Sequence, residues 1–131
     1  MTSPIIIALD ANYERSMNLA KSFDPKMCRL KVGSQLFTSI GPRVVEELCS
    51  LGYEVFLDLK FHDIPNTVYK AIKSLAGLKP KILNIHVLGG EKMLKAARES
   101  INENFDGDKP LLIGVTLLTS LNENDIALMG F

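Results

Sequence analysis

The sequence predicts an α/β fold built on parallel strands. Five apolar runs, "IIIALD", "RLKVG", "EVFLDLK", "ILNIHVL" and "LLIGVTLL", begin near Ile5, Arg29, Val55, Ile82 and Leu111. The steps between those starts are 24, 26, 27 and 29 residues, the rhythm of repeated strand–helix units. The runs are mostly continuous in hydrophobicity, as strands read when a parallel sheet is covered on both sides or closed into a barrel.

The segments between the strands carry helical patterns. "NYERSMNLAKSF" starts from Asn12 as N-cap and brings Met17, Ala20 and Phe23 to one face. "GPRVVEELCSLG" has Pro42 where a first helical turn tolerates it and Gly52 where a helix ends. Its Val44, Val45, Leu48 and Leu51 share a face. "NTVYKAIKSLAG" places Val68, Ile72 and Leu75 together and is closed by Gly77. "GEKMLKAARESINENF" does the same with Met93, Leu94, Ala97 and Ile101. "NENFDGDKP" is the most polar loop, and no linker or low-complexity tract breaks the rhythm, so residues 1–131 read as one domain.

Two architectures absorb five such steps. A doubly wound open sheet would be complete at this length. An eightfold barrel needs on the order of 200 residues, and the chain would then hold its first five strands and four helices. Length favours the open sheet; the polar residues have to arbitrate.

Composition excludes several classes of function. The 15 basic side chains balance 15 acidic ones, so nothing in the overall charge calls for nucleic acid or a membrane surface as partner. No apolar run is long enough to span a bilayer, and "MTSPIII" has no basic segment ahead of its apolar run, as a secretory signal would. Cys28 and Cys49 lack C-x-x-C spacing and read as free thiols of a reducing cytoplasm. His62 and His86 form no H-x-H or H-x-x-x-H pair, so a zinc site is not expected. "VLGG" at Val87–Gly90 reads as a turn into a helix, and no G-x-G-x-x-G or P-loop is present.

Each strand ends in something polar: Asp10, then Lys31, then Asp58 and Lys60, then His86, then Thr116 and Thr119. Both architectures build their sites at the carboxyl ends of parallel strands. Asp58 and Lys60 are two apart, so the period of a strand points both the same way while Leu57 and Leu59 face the helices. Charges so placed need partners, because each desolvated ion costs several kcal/mol. Lys31 on the neighbouring strand and Asp63 in the following loop complete a chain of alternating sign, Lys–Asp–Lys–Asp. Such an array holds Lys60 cationic and aims it, as a general acid requires.

"ALD" at Ala8–Asp10, "LKVG" at Leu30–Gly33, "DLKFHDIPNT" at Asp58–Thr67 and "VTLLTS" at Val115–Ser120 resemble, in order and spacing, the orotidine 5'-phosphate decarboxylase family. The resemblance covers the whole chain. It implies a (β/α)8 barrel, present here as an N-terminal portion, working as a cytoplasmic homodimer without metal or organic cofactor. The implied reaction converts orotidine 5'-phosphate to UMP and carbon dioxide in pyrimidine biosynthesis. Carried over by motif, Lys60 is the proton donor and Asp58 lies beside the departing carboxylate. Lys31 and Asp63 complete the array, Asp10 and Lys31 match ribose contacts, and Thr119 matches a position near the pyrimidine edge. Asp63, Ile64 and Thr67 match positions that reach the partner subunit's site. The family continues for about three more strand–helix units, which carry the phosphate-binding glutamine and arginine. The 131-residue chain alone is therefore expected to be inactive.

Two alternatives stay open on the sequence. Metal-dependent sugar-phosphate decarboxylases and aldolases of the same superfamily share D-x-K-x-x-D, but carry a glutamate before "VG" where Lys31 stands. A receiver-like signalling domain would use Asp58 as phosphoacceptor. It needs an acidic pair after the first strand and a lysine after the fifth; Asp10 is followed by Ala11, and Thr119 by Ser120.

Overall fold

The structure, a computed structural model, describes residues 3–131. Five strands form one parallel sheet: β1 (Ile6–Ala8), β2 (Arg29–Gly33), β3 (Val55–Phe61), β4 (Ile82–His86) and β5 (Leu111–Val115). Their spatial order is β1-β2-β3-β4-β5. A doubly wound sheet reverses direction at a switch point; this one never does. Every crossover therefore steps the same way, and the right-handed rule stacks all helices on one face. The open-sheet reading and the receiver-like reading both fall on this order. The architecture is five consecutive units of a β/α barrel.

The helices are α1 (Tyr13–Ser22), α2 (Ser34–Ile40), α3 (Arg43–Ser50), α4 (Pro65–Ser74), α5 (Glu91–Asn104) and α6 (Glu123–Leu128). Asn12 caps α1, its side chain accepting the Arg15 N–H at 2.9 Å. Pro42 sits at the N-cap of α3, and Gly52 follows that helix with φ +92°. Pro65 opens α4 from its first turn.

Among the described residues the α-helices number six, two more than the four expected. The missed α2 has one buried side chain, Leu36, and starts from Gly33 without a side-chain cap, so neither periodicity nor capping announces it. Gly77 does not end α4: a short 3-10 turn, Ala76–Leu78, follows Leu75, and the left-handed residue is Lys79 at φ +50°. Leu51, the C-cap of α3, is 38% exposed and does not join the buried face of Val44, Val45 and Leu48. Gly89 closes the 3-10 turn Val87–Gly89; a Cβ there would lie 2.0 Å from the Met93 methyl, so "VLGG" is packed onto α5.

The core lies between the sheet and its helices. Leu30 and Val32 from β2, Val55 and Leu57 from β3, and Leu83 and Ile85 from β4 are buried against Val44, Val45, Leu48, Val68, Ile72, Met93, Ala97 and Ile101. The opposite face carries Lys31, Asp58 and Asn84, while Ile6, Leu111 and Ile113 of the edge strands are exposed. Cys28 and Cys49 are free thiols whose pKa values burial pushes up. Among the described residues, no helix is long and apolar enough to cross a membrane.

Candidate active site

The site is organised around one carboxylate. Asp58 pairs with Gly33 in the β2–β3 register and points away from the helices. Its side chain is only 8% exposed. Lys31, two residues before Gly33 on β2, extends its ammonium to Asp58 Oδ2 at 3.1 Å. Lys60 Nζ donates to Asp58 Oδ1 at 2.7 Å. Asn84, at the centre of β4, donates from Nδ2 to the same Oδ1 at 2.6 Å. Burial alone would push the Asp58 carboxyl up; hydrogen bonds from Lys60, Asn84 and Lys31 outweigh it and hold the pKa below the ordinary carboxylate value.

Lys60 does not reach Asp58 by simple strand alternation. The β3–β4 ladder pairs Leu57 with Leu83 and next pairs Phe61 with Ile85, so β3 advances four residues while β4 advances two. The surplus is a bulge, and within it Lys60 takes φ +50°. Its backbone N–H, lost to the regular ladder, donates to Asn84 Oδ1 at 2.8 Å. Asn84 was absent from the sequence reading. Its signal was available: an amide in the middle of "ILNIHVL" interrupts an otherwise apolar strand and, once buried, must be hydrogen-bonded.

The expected fourth charge stands apart. Asp63 is exposed, and its Oδ1 accepts the N–H of its neighbour Ile64 at 2.7 Å. Within this chain the array is therefore Lys31–Asp58–Lys60, completed by Asn84. The reason is the chain path: β3 ends at Phe61, and the turn into α4 carries Asp63 outward. Ile64 and Thr67 are exposed beside it. Asp10 follows β1 and Thr119 lies in a turn beyond β5, both exposed. His62 is exposed and its ring lies 5.2 Å from that of His86, centroid to centroid.

A cation–carboxylate–cation line at the carboxyl edge of a barrel sheet can place an ammonium where negative charge develops. The sequence model described as "Orotidine 5'-phosphate decarboxylase / HUMPS family" matches residues 3–129. The chain belongs to this family. It is 53% identical over 131 residues to an orotidine 5'-phosphate decarboxylase of Legionella pneumophila, covering 99% of this chain and 57% of that protein. A decarboxylase of the same name from Pseudomonas paraeruginosa is 53% identical over 129 residues, 98% of this chain and 55% of that one. The chain thus spans a little over half the length of these relatives. Among solved structures, the orotidine 5'-phosphate decarboxylase of Lactobacillus acidophilus superposes with a TM-score of 0.86 at 39% identity, covering 98% of this chain and 59% of that one. A Methanocaldococcus jannaschii orotidine 5'-monophosphate decarboxylase complexed with the inhibitor BMP gives 0.77 at 21% identity over 99% and 58%, a likeness of fold.

Proposed function

We propose that the protein carrying this chain decarboxylates orotidine 5'-phosphate to UMP and carbon dioxide, with Lys60 as proton donor. The observation that supports this reading most is the Lys31–Asp58–Lys60 line, one buried acid between two ammonium groups. Breaking the bond to the carboxylate carbon releases carbon dioxide and leaves its electron pair on carbon 6 of the pyrimidine. An ammonium already held in place stabilises that charge without reorganising, and then delivers its proton. In this reading Asp58 performs two tasks: it orients Lys60, and it faces the substrate carboxylate.

The remaining roles follow the family motif. Asp10 and Lys31 contact the ribose, and Thr119 lies near the pyrimidine edge. Asp63, Ile64 and Thr67 serve the partner's site in a homodimer; their exposure on one loop and the first turn of α4 supports that reading. The proposed setting is the cytoplasm and the reaction requires no metal or organic cofactor. For the sugar-phosphate alternative, the place before "VG" should carry an anion; Lys31 occupies it and already binds Asp58.

Lys60→Ala in the intact natural protein tests the proposal. Turnover is expected to fall by at least about 10²–10⁴-fold, the usual worth of a positioned acid. Affinity for UMP, read by calorimetry, should change less than about tenfold, because the ammonium acts on the transition state. Turnover near the wild-type value would remove Lys60 from the role of donor.

A further inference from the structure

We propose that Asn84 is a positioning residue for this chemistry: its amide clamps the bulge from which Lys60 projects, and so sets the direction of the ammonium. The inference rests on the decarboxylase reading and adds a residue to it. Asn84 is 3% exposed, in a strand whose other residues are apolar except His86. Both ends of its amide are used. Oδ1 accepts the Lys60 backbone N–H at 2.8 Å, and Nδ2 donates to Asp58 Oδ1 at 2.6 Å. The first partner can only donate and the ionised second can only accept, so the amide has one workable orientation.

The clamp joins two features that otherwise have no common cause. Lys60 holds a left-handed backbone conformation that lysine rarely adopts. The β3–β4 ladder has a gap at the same place, between the Leu57–Leu83 and Phe61–Ile85 pairs. Asn84 lies on β4 inside that gap, and its side chain supplies the acceptor that the ladder does not. Lys60 is thereby held at both ends: its backbone by Asn84 and its ammonium by Asp58, which Asn84 also holds. Without the amide, Lys60 is free to return to extended backbone, and its side chain loses its heading toward Asp58. Three replacements show what the amide supplies. Leucine offers neither group, aspartate cannot donate to Asp58, and serine reaches one partner at most.

A kinetic double-mutant cycle with Asn84→Ala and Lys60→Ala in the intact natural protein tests the role. With Lys60 present, Asn84→Ala should lower kcat about 100-fold while KM changes less than about 3-fold. With Lys60→Ala in place, it should lower the residual rate, measured in single turnover with excess enzyme, less than about 10-fold, the part owed to its bond to Asp58. A structural lesion would instead cost the same factor in both backgrounds, and that result overturns the proposal. So does an undiminished kcat for Asn84→Ala. If Asn84→Ala does not fold, Asn84→Ser runs the same cycle under the same expectations. The two readings fail differently. Wild-type turnover by Lys60→Ala overturns the decarboxylase role of Lys60, whereas collapsed Lys60→Ala with equal Asn84 effects overturns only the clamp.

Discussion

The two edges of the sheet carry the same kind of side chains arranged to different ends. At the amino edge, Arg29 opens β2, Glu54 and Lys81 immediately precede β3 and β4, and Asp108 lies in the loop leading to β5. Arg29 Nε meets Glu54 Oε2 at 2.6 Å, Lys81 reaches Glu54 Oε1 at 3.7 Å, and Lys81 also pairs with Asp108. These side chains keep water: Lys81 is 32% exposed and Asp108 80%. At the carboxyl edge, two cations converge on one buried carboxylate, and one of them comes from a left-handed backbone. Alternating charge alone does not mark a site. What distinguishes the carboxyl edge is convergence on a desolvated group, where an unmade contact is costly. In the half-exposed belt no member is as desolvated as Asp58, Arg29 and Glu54 keeping 20% and 31% of their side-chain exposure, so its pairs contribute less each.

The largest expected effect comes from removing the centre of the array. Asp58→Ala strands two ammonium groups and the Asn84 amide, and should destabilise the intact protein by about 3 kcal/mol in urea unfolding. This is the low end for broken buried pairs, since both lysines keep some water. A cost below about 1 kcal/mol would make the two edges energetically alike. The pH dependence has a definite sign. The folded Asp58 pKa lies below its ordinary value, so its stabilisation is complete above about pH 4 and is lost as pH falls through the folded value. Asp58→Asn should therefore flatten the stability profile below about pH 4, and an unchanged profile would contradict the shift.

Backbone strain at Lys60 separates the edges on a smaller scale. Lys60→Gly and Lys60→Ala both remove the ammonium, but only glycine relaxes at φ +50°. The glycine variant should be more stable than the alanine variant by roughly 0.5–1 kcal/mol, the left-handed penalty less glycine's greater entropy in the unfolded chain. Equal stabilities would mean that the bulge relaxes once the side chain is gone. The smallest effect belongs to the amino edge. Glu54→Ala, which removes the shared acid of the belt, should cost less than about 1 kcal/mol, and raised salt should shrink that cost further. A loss as large as that of Asp58→Ala would show the belt to be a cooperative network.

The strands were legible because their hydrophobicity is local and regular: five runs start where five strands are found, within a residue. Asp58 with Lys31 and Lys60 was legible from charge that needs pairing near a buried strand end. The amide of Asn84 is visible in the sequence as a polar break in an apolar strand, but its partners, Asp58 and the Lys60 backbone, are set only by the pairing of β3 with β4. Within this chain Asp63 lies outside the array, because the turn at Pro65 carries it outward. Alternation found the right partner for Lys60 by the wrong route, since a bulge and a positive φ interrupt the strand between Leu57 and Phe61.

Local sequence sets the order and spacing of the elements and which charged side chains lie near the strand ends. Those properties depend on residues close together in the chain, through hydrophobic period, caps and turns. Tertiary structure shows β1 to β5 side by side in sequence order, which bears out the barrel that the family motif implied and that strand periodicity left open beside a doubly wound sheet. It also decided that Asn84 stands opposite the bulge of β3 and that Asp58 is shared among three donors. These outcomes depend on which strands become neighbours and in what register, a choice made by packing between residues some 24 to 27 positions apart.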